Sequence, residues 1–167
     1  MFCEKDGWLN RMPLTSSIGL INAIASVALA LFVFSRNPSG KTHRAYLFFG
    51  LGVGLYSIGY FFWGMSTTDG SALFAFKILT VGIVAINSGY LEFVFNLLNV
   101  REKKKWFLRS THALNGLSVL AVCFELFFST VERKNIWGYW PDPKPLFYIY
   151  FVLWFCQMGY GLLEVRN

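Results

Sequence analysis

Five long runs of apolar residues, separated by short polar segments, make up most of this chain of 167 residues. The hydrocarbon core of a bilayer is about 30 Å thick, and an α-helix crosses it with about 20 apolar residues. The pattern therefore predicts an all-α fold: a polytopic membrane helical bundle of five transmembrane helices. We expect residues 1–167 to form a single membrane-embedded domain. The runs lie at about Leu14–Phe34, Ala45–Met65, Ala72–Leu98, Phe107–Ser129 and Leu146–Leu163.

Basic residues are unevenly divided between the two sides of such a bundle. Of the 15 lysines and arginines, nine lie in or around the first and third loops and at the C-terminal end, five lie on the other side, and Lys77 lies deep inside the third run. Loops rich in lysine and arginine stay in the cytoplasm. We therefore expect the N-terminus outside and the C-terminus in the cytoplasm. The nine residues are Arg36, Lys41, Arg44, Arg101, Lys103, Lys104, Lys105, Arg109 and Arg166.

The net charge of +6 does not by itself indicate a nucleic-acid partner. Charged residues make up only 14% of the chain, against about 25% in a soluble domain. Basic residues beside apolar runs are first a topology signal, and contact with anionic lipids is compatible with them. The bilayer is therefore an expected partner, and nucleic acid is not.

Small residues in the second run predict close helix packing. Gly50 and Gly54 are four residues apart and lie on one face of a helix, where glycine lets two backbones approach each other.

Polar side chains inside the third and fourth runs need a reason, because a charge at the centre of a bilayer costs about 2.5–3.5 kcal/mol on insertion scales. If the two runs form an antiparallel hairpin, these side chains fall at matching depths, since each residue advances the helix by about 1.5 Å. They are Lys77, Asn87 and Glu92 in the third run and His112, Asn115 and Glu125 in the fourth.

The matching depths predict a polar seam between the two helices. Lys77 with Glu125 would form its outer rung, the two asparagines its middle and Glu92 with His112 its inner rung. In the alternative reading, these residues are unrelated and face other helices or the headgroups. Because histidine titrates near neutral pH, the inner pair could also sense pH or relay a proton.

Motifs for catalysis and metal binding are missing from the sequence. No HExxH pattern, phosphate-binding glycine loop or motif around a serine nucleophile occurs. Cys3, Cys123 and Cys156 are scattered and lack metal-ligand spacing. We expect no enzyme activity, no catalytic residues, no metal and no cofactor.

Several stretches carry a family likeness. They are Ala45–Phe49, Tyr56–Tyr60, Phe76–Leu79, Tyr90–Phe95 before a basic loop, and the aromatic segment Trp137–Trp140. With these stretches the chain resembles the seven-transmembrane N-terminal region of bacterial histidine kinases, from about Leu14 to Leu163. Related input domains precede diguanylate cyclases and other signalling outputs.

The resemblance implies a sensory or signal-input domain in the bacterial inner membrane, without its own catalytic output. Its implied partner is a cytoplasmic histidine kinase or cyclase module, and no ligand is implied. The family has seven spans, so the five predicted here indicate a truncated form. The main alternative is a small transporter or channel component, followed by a structural or assembly protein.

Overall fold

The computed structural model describes residues 12–134 and 138–166. Five α-helices and one two-stranded antiparallel sheet make up most of this part of the chain. The predicted helical class is confirmed, with the small sheet as an addition. The helices are α1 (Met12–Arg36), α2 (Lys41–Gly64), α3 (Asp69–Leu97), α4 (Lys105–Cys123) and α5 (Pro145–Arg166), and the strands are β1 (Phe128–Lys134) and β2 (Gly138–Pro143).

Four of the five helices are long and apolar enough to cross a membrane: α1 from Ser16 onward, α2, α3 and α5. The remaining helix, α4, has only nineteen residues and carries Arg109, His112 and Asn115 in its first eleven positions. Its composition alone therefore does not mark it as a span.

Helix α3 lies at the centre of the bundle. It packs against α2, α4, α5 and both strands, while α1 packs against α2. Ala72, Asn87, Leu91 and Phe95 of α3 are almost completely buried. Because α3 contacts α2, α4, α5 and the hairpin, a movement of any of these elements would change its packing directly.

Glycines allow the first three helices to pack closely. A Cβ added at Gly54 would meet the side chain of Val27 on α1 at 2.6 Å, and Gly50 faces Ala30 on the same helix. The predicted packing role of these two glycines is therefore confirmed. Gly52 lies on another face of α2, where an added Cβ would be 2.8 Å from a backbone nitrogen of α3.

Large apolar side chains cover the surface of the outer helices. Ile21 and Ile24 on α1, and Val152 and Leu162 on α5, are each more than half exposed. Lipid chains can cover such a surface, whereas an apolar surface of this extent is unusual for a protein in water. The outer surface of the bundle is therefore that of a membrane-embedded protein.

The predicted fourth span, Phe107–Ser129, is longer than the helix that the structure contains. α4 ends at Cys123, and Glu125 adopts a left-handed backbone conformation with φ of 58°. The N–H of Leu126 then donates to the carbonyl of Ala121, and that of Glu125 to the carbonyl of Val122. This is the Schellman arrangement that ends helices. The apolar residues beyond it continue into β1 rather than into a helix.

The segment between the last two predicted runs, Thr130–Pro145, forms most of a β-hairpin, apart from residues 135–137, which lie outside the described residues. The hairpin folds back onto the ends of α2 and α3. Trp63 Nε1 donates a 2.6 Å hydrogen bond to the carbonyl of Tyr139, and the Tyr139 hydroxyl donates to the carbonyl of Thr67 at 2.8 Å. The hairpin therefore closes one end of the bundle.

Candidate functional site

Polar contacts join α3 to its neighbours at three heights along the bundle. The first is near the hairpin, where Lys77 Nζ lies 2.8 Å from Glu125 Oε1. Lys144 also donates from Nζ to the backbone carbonyl of Glu125, at 2.9 Å. The hydrogen bond from Lys77 lowers the pKa of the Glu125 carboxyl group. Glu125 lies in the turn after α4 rather than within a span, and it connects α3 with the start of α5.

The second height is the middle of α3, where the polar groups are buried. Asn87 donates its side-chain amide to Gln157 Oε1 on α5, and Asn115 on α4 donates to the Ser88 hydroxyl at 2.7 Å. The two asparagines thus bond to different residues and not to each other. The Oδ1 atoms of Asn87 and Asn115 are buried and accept no hydrogen bond from any residue that the structure describes.

The third height is at the opposite end of α3 from the hairpin. Arg101 Nε lies 2.6 Å from Glu92 Oε1, and His112 Nε2 lies 3.6 Å from Glu92 Oε2. The chain turns back towards α3 through Asn99, whose φ is 56°. Arginine remains charged at any ordinary pH, so a permanent cation is the nearer partner of Glu92. The predicted proton-sensing role of Glu92 and His112 stays a prediction.

The same end of the bundle contains a second ionic contact. Lys104, in the turn between α3 and α4, lies 2.6 Å from Glu164 Oε1 and 2.5 Å from the Tyr160 hydroxyl. The hydrogen bond with Glu164 raises the pKa of Lys104, with a smaller contribution from Tyr160. The Tyr160 ring also packs on Phe107, with 4.5 Å between ring centroids. The last turns of α5 are therefore attached to the turn between α3 and α4.

Sequence reasoning missed the partners that come from outside the third and fourth runs. Gln157 could have been noticed as an isolated amide within an apolar run, and Glu164 as an acid beside the basic loop. In the sequence, Arg101 reads only as one basic residue of the expected cytoplasmic loop. Its contact with Glu92 depends on the tight turn at Asn99, which hydropathy does not reveal.

A charge exchange tests the contact between α3 and the turn after α4. Lys77→Glu would set two carboxylates against each other, so we expect a clear fall in the yield of folded protein. Adding Glu125→Lys should restore it. Because the pKa of Glu125 is lowered, the stabilisation from this pair should be present above the ordinary pKa of glutamate. It should be lost as the pH falls through the lowered value.

Yield in detergent extracts and thermal unfolding are the measurements for this exchange. The matched control is Lys77→Glu with Glu132→Lys, which has the same net charge but changes an exposed residue of β1 instead. Equal recovery by Glu132→Lys, or no recovery by Glu125→Lys, would show that the pair does not stabilise the fold.

No group of three or more histidine, cysteine, aspartate or glutamate side chains is placed to hold a metal ion within the described residues. Cys123 and Cys156 are exposed and are not joined in a disulfide, and Cys3 lies outside the described residues. The polar groups on α3 instead connect helices to one another. Such an arrangement is typical of a membrane-embedded helical domain whose helices are held together by polar contacts.

Residues 18–164 match the model of a known family, the N-terminal 7TM region of histidine kinase. The match extends over most of the chain, and the chain belongs to this family. It is therefore a membrane-embedded sensory input domain and an integral membrane protein, as the resemblance implied. The family assignment favours signal input over the transporter or channel alternative. Comparisons with curated proteins and with solved structures return no match.

Proposed function

We propose that this input domain crosses the bacterial cytoplasmic membrane five times and passes a signal to a cytoplasmic histidine kinase or cyclase module. The N-terminus would be outside and the C-terminus in the cytoplasm, with residues 1–167 forming one domain. The excess of lysine and arginine near the α3–α4 turn supports this orientation.

The contacts of α4 support its proposed role as the fourth of five spans, despite its polar first half. Its beginning lies beside the end of α3, through Glu92 and His112, and the turn after it lies beside the start of α3, through Glu125 and Lys77. Nineteen helical residues rise about 28 Å, which is close to the thickness of the hydrocarbon core. Thus α4 extends along most of a membrane-spanning neighbour.

The contact of Lys104 with Glu164 and Tyr160 is the observation that carries the proposed output route. It joins the α3–α4 turn to the helix that would lead into the cytoplasm. A ligand or membrane signal that prefers one of two packings of α3 and α4 would shift their populations. Through Lys104, that shift would rotate or displace the end of α5.

The two proposed packings would differ in the buried hydrogen bonds at the middle of α3. Asn87 and Asn115 each keep a buried carbonyl oxygen that has no hydrogen-bond partner within residues 12–134 and 138–166. A small displacement of α4 or α5 would allow these amides to exchange hydrogen-bond partners without exposing them to water. The six seam residues predicted from the sequence would then act together with Gln157 and Arg101 to set the preferred packing.

Chimeras test this proposal. Helix α5 is continued into the soluble core of a histidine kinase, with the junction lengthened by zero to six residues. Each added residue rotates the core by about 100°, so the series samples different helical phases. If the domain controls output through α5, autophosphorylation in membrane vesicles should rise and fall with helical phase.

The same series can refute the proposal. Equal kinase activity at every junction length would show that the kinase core does not respond to the end of α5. Accessibility of the kinase core to ATP in right-side-out and inverted vesicles provides the control for orientation. Activity confined to vesicles that expose the outer face would contradict a cytoplasmic C-terminus.

A further inference from the structure

A cavity of about 400 Å³ opens between the start of α2, the end of α3 and the start of α4. Most of its polar lining is capable of donating hydrogen bonds. The polar residues are Lys41, Arg44, Glu92, Asn96, Arg101 and His112. The cavity lies at the end of the bundle that is rich in basic residues, and it is distinct from the buried amides in the middle.

The positive charge of this cavity is not cancelled by the protein. Among the described residues, Glu92 is the only acidic one that lines the cavity, and Arg101 holds its carboxylate at 2.6 Å. Lys41 and Arg44 form no ion pair with any residue in the described part of the chain. Arg44 uses Nε to donate to the carbonyl of Pro38, which leaves both of its terminal nitrogens as donors.

The helix that begins at the cavity adds to this positive potential. Lys41 is the first residue of α2, and the preceding Gly40 provides no side-chain cap for the first turn. Backbone N–H groups at a helix start are free donors and attract anions. A flexible lysine, a forked guanidinium and a helix start therefore meet at one opening.

We propose that this cavity is a phosphate-binding site. Arginine and lysine form strong, charge-assisted hydrogen bonds with phosphate oxygens. His112 and Asn96 also line the cavity and would add polar contacts. The phosphate would come from the headgroup of an anionic lipid or from a soluble phosphate ester. This assignment does not depend on the proposed signalling role.

Binding here would connect parts of the bundle that otherwise have little contact. α2 packs against α1 and α3 but makes few direct contacts with α4. A phosphate held by Arg44 on one side and His112 on the other would bridge these two helices. The site would thus give the membrane surface or a soluble anion a means of fixing α4 relative to α2.

Binding measurements on the purified chain in a neutral detergent test the proposal. The probes are short-chain phosphatidylglycerol, an uncharged diacylglycerol of the same chain length, and inorganic phosphate. Lys41→Ala with Arg44→Ala should weaken phosphatidylglycerol binding about tenfold or more, because charge-assisted contacts are lost. The matched control, Lys103→Ala with Lys105→Ala, removes two charges from the neighbouring turn and helix start without altering the cavity lining, and it should change binding less than threefold.

The three probes also distinguish the source of the phosphate. Phosphatidylglycerol binding that inorganic phosphate does not displace would indicate a lipid site. Binding of inorganic phosphate that Lys41→Ala with Arg44→Ala weakens would indicate a soluble ligand. The proposal would be overturned if the two double variants lost the same amount of binding affinity. It would also be overturned if the chain bound no inorganic phosphate and did not prefer phosphatidylglycerol to diacylglycerol. Thermal unfolding of each variant checks that a loss of binding is not a loss of fold.

Discussion

Leucine in place of Gly59 or Gly89 is expected to force α2 away from α3 and to abolish most of the folded protein. A Cβ at Gly59 would lie 2.5 Å from the backbone nitrogen of Leu79, and one at Gly89 would lie 2.5 Å from the Cα of Phe49. Backbone atoms cannot give way as a flexible side chain can. Overpacking typically costs about 1–3 kcal/mol, and we expect about 3 kcal/mol or more where two helices must separate.

The measurement is the midpoint of thermal unfolding, together with the fraction of monodisperse protein in detergent. Gly116→Leu on α4 is the matched control, because a Cβ there would meet no atom of the described residues within 4 Å. It should leave both values nearly unchanged. A similar loss for Gly116→Leu and Gly89→Leu would mean that close contact between α2 and α3 is not what makes glycine necessary.

Replacing Gln157 by leucine should destabilise the bundle by about 1–2 kcal/mol. The change removes the acceptor for the Asn87 amide, which is completely buried in the middle of α3. A buried donor that loses its partner costs about 1–3 kcal/mol, and hydrogen bonds between membrane helices are at the lower end of this range. Unfolding in a denaturing detergent measures the free-energy difference.

The double variant Asn87→Leu with Gln157→Leu should regain most of this loss. Replacing both partners of a buried hydrogen bond with apolar groups can leave stability nearly unchanged, whereas removing one partner leaves the other buried without a hydrogen bond. Cys156→Leu, at an exposed neighbouring position on α5, controls for the added apolar volume. A double variant less stable than Gln157→Leu alone would contradict the proposed pairing.

Hydropathy predicts the long helices well because their physical cause is local. The apolar runs that begin near Leu14, Ala45, Ala72 and Leu146 each correspond to a helix that is long enough to span the membrane. Antiparallel geometry also places Lys77 and Glu125 at one depth, and their side chains lie 2.8 Å apart. A depth argument of this kind needs only the rise of a helix and the position of its turn.

The end of α4, the start of β1 and the polar partners on α5 depend instead on backbone geometry and on contacts between helices distant in the sequence. Phe127 and Phe128 look like the end of an apolar helix, yet the left-handed turn at Glu125 directs them into a cluster with Phe76 and Tyr150. Hydropathy cannot distinguish a buried aromatic pair at the start of a strand from the last turn of a span.

The polar partners were hidden for a related reason. Matching depths along a hairpin relate only the third and fourth runs, and they carry no information about α5. Gln157 and Glu164 reach α3 and its following turn only because α5 packs against the same central helix. Predicting these contacts requires the arrangement of three helices, which the apolar pattern of each one does not specify.

The most direct test of signal input through this domain is the effect of Lys104 on the attached kinase core. At the junction length that gives the highest activity, Lys104→Ala should change autophosphorylation several-fold, because α5 loses its attachment to the α3–α4 turn. Lys103→Ala, the neighbouring basic residue, should have little effect. If the two substitutions change kinase activity equally, or neither changes it, the contact of Lys104 with α5 does not carry the signal.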